Sequence, residues 1–108
     1  MRRSGSGAVV STIALACAII SPARAALTGN ELYDVCLGDS FDRGMCVGYA
    51  LGVAEAAGLA GVACIPPDVT RGQIKDVVVN YLRDHPADRN KSAYGLVTTA
   101  LQSVWPCH

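Results

Sequence analysis

Apolar positions recur at helical spacing through most of the chain downstream of residue 26. The clearest stripe places apolar side chains at i, i+3, i+4, i+7 and i+8; its members are Ile74, Val77, Val78, Tyr81 and Leu82. This pattern predicts an amphipathic helix and outweighs the β-propensity of the three consecutive valines. The capping-box pair Thr70 and Gln73 predicts where the helix begins, and His85-Pro86 predicts where it ends.

Two further helices are predicted on either side of this one. A second apolar stripe begins after Ser92 and stops at Pro106, with Ala93, Leu96, Val97, Ala100, Leu101 and Val104 on one face. Near the start of this region, Thr28 and Glu31 have capping-box spacing, so a short helix should follow Thr28. These two helices and the one after Thr70 account for three of the four helices we expect.

The remaining helix, roughly Asp42 to Ala57, is apolar on nearly every side. Its only charge between Gly44 and Ala57 is Glu55, so it should lie centrally in the fold or be buried against a partner. Glycines recur every fourth residue at 44, 48 and 52, although each costs a helix about 1 kcal/mol relative to alanine. Such a row forms a smooth groove for a close helix neighbour. That neighbour could belong to the same chain or to the second subunit of a homodimer.

Residues 1–25 have the organisation of a secretory signal peptide. The basic residues Arg2 and Arg3 precede an apolar run from Ala8 to Ile20, which is too short to span a bilayer. Ala23-Arg24-Ala25 then resembles a cleavage site, so we expect export to the periplasm and a mature domain of residues 26–108. A buried N-terminal helix, a twin-arginine signal and lipidation at Cys17 are the alternatives. After cleavage no apolar segment approaches membrane-spanning length.

The composition of residues 26–108 excludes a nucleic-acid-binding surface. This region has six Lys and Arg against nine Asp and Glu, a net charge of −3, and contains no basic run. Its 83 residues suit one small domain, which buries only about 60–65% of its unfolded surface. Such a core needs covalent support.

Four cysteines remain after the predicted cleavage site, and an even count in a small exported domain favours disulfides. They are Cys36, Cys46, Cys64 and Cys107. Structural zinc sites usually contain close cysteine pairs, which are absent here, and a nucleophilic thiol would need a nearby base. The predicted helices bring Cys36 close to Cys46, and Cys64 close to Cys107. We therefore expect an all-α, four-helix domain stapled by these two disulfides.

The sequence gives little support for catalysis, a metal site or a cofactor site. The only histidines are His85, beside a proline, and the C-terminal His108, and no carboxylate pair is suitably placed for acid–base chemistry. We predict no catalytic, metal-ligating or cofactor-binding residues and a protein that works by binding.

Several short motifs in this order make the chain resemble the Rap/Tai immunity proteins. They are Cys46 with Gly48-Tyr49 and Gly52-Val53, then Cys64-Ile65-Pro66, Val69-Thr70 with Gln73, Tyr81-Leu82, His85-Pro86, Arg89, Leu96-Val97, Ala100-Leu101 and Trp105-Pro106-Cys107. The resemblance covers nearly all of residues 32–107. It implies a helical, disulfide-containing periplasmic protein, often a homodimer, that inhibits a peptidoglycan amidase delivered by type VI secretion. The implied partner is a papain-like cysteine amidase. A small periplasmic chaperone or stress protein is the alternative.

The polar connection "DHPADRNK", residues 84–91, is the predicted toxin-binding edge. Two amphipathic helices hold its ends, so it should be presented on a rigid frame. His85, Asp88 and Arg89 are its candidate toxin-binding residues, because each can form hydrogen bonds or ion pairs with a cysteine–histidine site. An ordinary solvated turn is the alternative, in which case the binding edge would be the Gly58–Asp68 loop.

Overall fold

Four α-helices form the domain, as the sequence predicts. The computed structural model describes residues 26–108, so the predicted signal peptide lies outside the described residues. The helices are α1 (Gly29–Cys36), α2 (Ser40–Leu59), α3 (Arg71–Asp84) and α4 (Ala93–Val104). Within residues 26–108 the only extended pairing consists of two isolated β-bridges. The all-α fold class is therefore confirmed.

Both predicted capping boxes are present at the starts of α1 and α3. Thr28 Oγ1 accepts the Glu31 amide hydrogen at 3.2 Å, and the Thr28 amide donates to the Glu31 carboxylate at 2.9 Å. Thr70 and Gln73 repeat this exchange at 3.1 and 2.7 Å. Each box satisfies two amide donors that a helix N-terminus otherwise leaves without partners.

Helix α2 is longer at both ends than the predicted Asp42–Ala57. Its start moves to Ser40 because the Asp39 carboxylate accepts the Asp42 amide hydrogen at 3.0 Å and acts as the N-cap. Its end moves to Leu59, and the chain reverses at Gly61, whose φ of 72° is a conformation that suits glycine. Val62 then donates to the Ala57 carbonyl at 2.9 Å, which closes the turn.

The core lies where all four helices meet. Its largest fully buried side chains come from every helix and are Leu32, Cys46, Val78, Leu82, Val97 and Leu101. The predicted stripes of α3 and α4 supply four of these six side chains, although Val104, at the end of the α4 stripe, is 49% exposed. The periodicity therefore identified the core-facing sides of both helices correctly.

The two predicted disulfides are confirmed as Cys36–Cys46 and Cys64–Cys107. The first joins the end of α1 to the first turns of α2, and both of its cysteines are buried. The second joins the loop before α3 to the residues after α4. A backbone hydrogen bond joins the same two segments: the Cys64 amide donates to the Trp105 carbonyl at 2.8 Å.

Candidate functional site

The α3–α4 connection, residues 85–92, is a compact turn with internal hydrogen bonds. Pro86–Asp88 form a single 3₁₀ turn directly after α3. The Asp88 amide donates to the His85 carbonyl at 3.1 Å, and the Lys91 amide donates to the Asp88 carbonyl at 2.9 Å. The segment predicted as a binding edge is therefore an ordered turn.

His85 lies exposed at the start of this connection in a fixed orientation. Its ring stacks on Tyr81, with ring centroids 3.9 Å apart and planes inclined by 18°. Its Nδ1 lies 2.8 Å from the Tyr81 carbonyl oxygen. Because a carbonyl can only accept, Nδ1 carries a hydrogen, which leaves Nε2 available for a further hydrogen bond. His85 thus presents a defined hydrogen-bonding group at the protein surface.

Asp88 is half-buried, and its carboxylate forms an ion pair with Lys91 Nζ at 3.0 Å. The two side chains are 37% and 66% exposed, respectively, so this pair contributes little stability. Either partner can exchange it for a contact with another molecule at small cost.

Arg89, the third predicted toxin-binding residue, makes contacts within the domain. Its guanidinium carbon lies 4.4 Å from the centroid of the Tyr33 ring, within the range of a cation–π contact. Its Nη1 donates to the Leu82 carbonyl at 3.0 Å. The connection therefore presents His85 and Asp88 outward, whereas the Arg89 side chain packs between α1 and α3.

A second surface feature is the exposed face of α2. It is apolar apart from Glu55 and comprises Phe41, Gly44, Met45, Gly48, Gly52, Glu55, Ala56 and Leu59. Phe41 is 74% exposed and Leu59 is 92% exposed. A Cβ atom added at any of the three predicted row glycines would meet nothing within 4 Å. Among residues 26–108, then, no neighbouring helix occupies the glycine row, and packing within the described domain does not explain it.

Tyr49 and Tyr94 border this face and help to line a shallow cavity of about 310 Å³ beside Gly48 and Gly52. Burial raises the pKa of the Tyr49 hydroxyl, and the nearby Tyr94 raises it further. Both effects favour the neutral form, so Tyr49 keeps a hydroxyl that can donate a hydrogen bond at the edge of the α2 face.

The Gly58–Asp68 loop, the alternative binding edge, borders a larger apolar groove of about 530 Å³. The groove lies between α2 and the start of α3, and Glu55 is the only charged residue that lines it. The other lining residues are Leu51, Ala54, Gly58, Ala63, Cys64, Ile65, Pro66, Val69 and Ile74. This concave surface differs from the α3–α4 connection, which is polar.

Sequence reasoning missed two residues that support the connection, Gly29 and Tyr33. Gly29 packs closely against Arg89, and the Tyr33 ring lies under the Arg89 guanidinium. The only sequence signal for this close contact was Gly29 itself. The first turn of a capped helix does not otherwise favour glycine over alanine.

Metal and membrane sites are not found in the described part of the chain. Residues 26–108 contain no cluster of three or more His, Cys, Asp or Glu side chains arranged to hold a metal ion. None of the helices in this region combines the length and apolar character needed to cross a membrane.

Comparison with known proteins identifies a family. The family model of the Rap1a immunity proteins matches residues 28–107, which includes all four helices and all four paired cysteines. Comparisons with curated proteins and with solved structures found no match. Because the family match extends over most of the chain, this protein belongs to the Rap1a immunity protein family and has an immunity role.

Proposed function

We propose that this immunity protein binds and inhibits a peptidoglycan amidase delivered by type VI secretion. The family match over residues 28–107 is the observation that carries the proposal. The sequence resemblance to the Rap/Tai proteins supports the more specific target, a papain-like cysteine amidase. The protein itself acts by binding, and it performs no chemistry on the toxin.

The α3–α4 connection is the proposed contact with the amidase. A papain-like site pairs a thiolate with an imidazolium at the base of a cleft. The Asp88 carboxylate can accept a hydrogen bond from that imidazolium, and His85 can accept one through Nε2. Because the turn is already ordered by its own hydrogen bonds, little conformational entropy is lost when it enters a cleft.

The periplasm is the proposed compartment. The pattern of residues 1–25 supports export, and two disulfides in one small domain suit an oxidising environment. Peptidoglycan also lies in this compartment, so inhibitor and toxin would meet where the toxin acts.

Inhibition of an amidase tests the proposal directly. The protein, expressed from its complete chain and purified in oxidised form, would be added to a panel of recombinant type VI amidases that digest peptidoglycan sacculi. The panel should include any amidase encoded next to its gene. We expect complete inhibition of at least one amidase near a 1:1 molar ratio, measured by release of soluble muropeptides. If no amidase in the panel is inhibited or bound, the proposed target class is wrong.

We also propose a homodimer that buries the exposed face of α2 against the same face of a second copy. A two-fold axis requires a self-complementary patch, and an apolar helix with a glycine row meets this requirement because two backbones can approach closely along it. Phe41 and Leu59, near opposite ends of α2, would be covered in the same contact.

Substituting Gly48→Leu should raise the dimer dissociation constant at least about fivefold, because the leucine fills the groove and overpacking costs about 1–3 kcal/mol. The monomer should remain intact, since a Cβ at this position has no other element of the described domain within 4 Å. Sedimentation equilibrium would measure association. Gly72→Leu, in the first turn of α3, is the matched control and should leave association unchanged. A wild-type protein that stays monomeric at high micromolar concentration would contradict the dimer.

A further inference from the structure

The first turn of α1 is bonded to the backbone of the α3–α4 connection. The Gly29 amide donates to the Lys91 carbonyl at 2.9 Å, and the Asn30 amide donates to the Arg89 carbonyl at 2.7 Å. In the reverse direction, the Ala93 amide donates to the Leu27 carbonyl at 2.8 Å. The amides at a helix N-terminus have no partner within their own helix. Here two of these amides donate to carbonyls of the connection. These hydrogen bonds hold the first turn of α1 and the connection in place against each other.

Close approach at Gly29 makes these bonds possible. A Cβ atom at this position would collide with the Leu96 side chain and would lie 2.9 Å from the Arg89 carbonyl oxygen. A larger residue would therefore push α1 away from the connection and lengthen the bonds made by Gly29 and Asn30.

The Arg89 side chain adds a second attachment between the same parts of the fold. Its guanidinium lies over the Tyr33 ring of α1 and donates to the Leu82 carbonyl in the last turn of α3. The last four carbonyls of a helix have no amide donor within that helix. One side chain thus joins α1, the end of α3 and the connection, directly after the 3₁₀ turn Pro86–Asp88.

We infer that Tyr33 and Arg89 are positioning residues, which together with the first turn of α1 hold Pro86–Asp88 in its presented conformation. Arg89 acts through the turn and does not touch the target; His85 and Asp88 make the contacts. This inference rests on the proposed function for its consequence in inhibition, but the positioning itself is a property of the free protein. The guanidinium of Arg89 is required, because lysine lacks its planar, multi-donor geometry. The aromatic ring of Tyr33 is required, because the guanidinium lies over the face of that ring.

Amide hydrogen exchange measured by NMR tests the positioning without any toxin. In Tyr33→Leu, and independently in Arg89→Lys, we expect the Asn30, Asp88 and Lys91 amides to exchange at least tenfold faster than in the wild type. The amides in the middle of α2 should be accelerated by a much smaller factor than these three. Tyr33→Phe keeps the aromatic face and should behave like the wild type, which separates loss of the cation–π contact from general damage to the fold.

Two outcomes of this experiment would overturn the positioning role. One is wild-type exchange at the connection in both Tyr33→Leu and Arg89→Lys. The other is an equal acceleration throughout α2, which would make these residues ordinary contributors to global stability.

Inhibition assays with the amidase that the wild type inhibits then test the consequence. Tyr33→Leu should raise the half-inhibitory concentration at least tenfold, whereas Tyr33→Phe should leave it unchanged. Faster exchange with unchanged inhibition would overturn the inference that the turn is positioned for toxin binding. Failure of the wild type to inhibit any amidase would overturn the proposed function, and the exchange result would still stand as the test of positioning.

Discussion

Replacing Cys64 and Cys107 together with alanine is expected to lower the free energy of unfolding by about 4 kcal/mol. The disulfide links residues 43 positions apart. In the chain-entropy treatment, closing a loop of this length restricts the unfolded chain by about 4 kcal/mol at 25 °C. Small domains are stable by only about 5–15 kcal/mol in total, so this loss should be conspicuous in urea unfolding.

Reduction of the wild-type protein supplies the matched control for this substitution. With an excess of a dithiol, neither protein contains the 64–107 bridge, so their free energies of unfolding should agree within about 1 kcal/mol. Cys64 is exposed and Cys107 is half-buried, so removing their sulfur atoms should sacrifice little packing. A difference below about 1 kcal/mol under oxidising conditions would show that other contacts hold the C-terminus.

The same substitution should loosen the chain beyond α4. Trp105 is half-buried against the core, and its carbonyl accepts the Cys64 amide hydrogen at 2.8 Å. A bridge between Ala63 and Pro106 continues this pairing. Trp105 is the only tryptophan in the chain, so its fluorescence reports on this segment alone. We expect a shift toward the emission of exposed indole at denaturant concentrations below the main transition.

The fold could be predicted from the sequence because α3 and α4 each have one apolar and one polar side. Both capping boxes fixed helix starts, and the positions of the cysteines relative to the helices fixed the disulfide pairing. Helix α2 was harder, since it is apolar nearly all round. Hydropathy indicates that Phe41 and Leu59 avoid water, but it does not say whether the same chain or another chain covers them. Only the structure shows that the glycine row is open.

The polar connection of the candidate site could be predicted from the sequence, but the direction of each side chain could not. The polar composition of residues 84–91 predicted a connection between two helices, and the structure has this connection between α3 and α4. Its role in toxin binding stays a prediction. The orientation of Arg89 depends on Tyr33, which is distant in sequence and shows no pairing signal, so local patterns could not reveal it. The same holds for the close approach at Gly29, which depends on Leu96 and Arg89.

The orientation of these side chains determines which substitutions test the binding edge cleanly. Arg89→Ala removes the Tyr33 and Leu82 contacts, so it should lower both stability and affinity and cannot separate the two effects. His85 is exposed, and the Asp88 ion pair with Lys91 lies at the surface. Removing both side chains loses this ion pair and the exposed contacts of His85 with Tyr81, and should lower the free energy of unfolding by no more than about 2 kcal/mol.

Substituting His85→Ala together with Asp88→Ala is therefore expected to weaken amidase binding by about 2 kcal/mol or more, roughly 30-fold, as truncation of interface hot spots does. Calorimetry against the inhibited amidase measures this affinity, and thermal unfolding checks that the fold is intact. Lys75→Ala with Asp76→Ala removes another surface ion pair, in the first half of α3, and should leave affinity unchanged. Wild-type affinity in the His85 and Asp88 variant would place the binding edge elsewhere. The apolar groove beside the Gly58–Asp68 loop would then be the surface to test, because it offers a different, concave contact on the same domain.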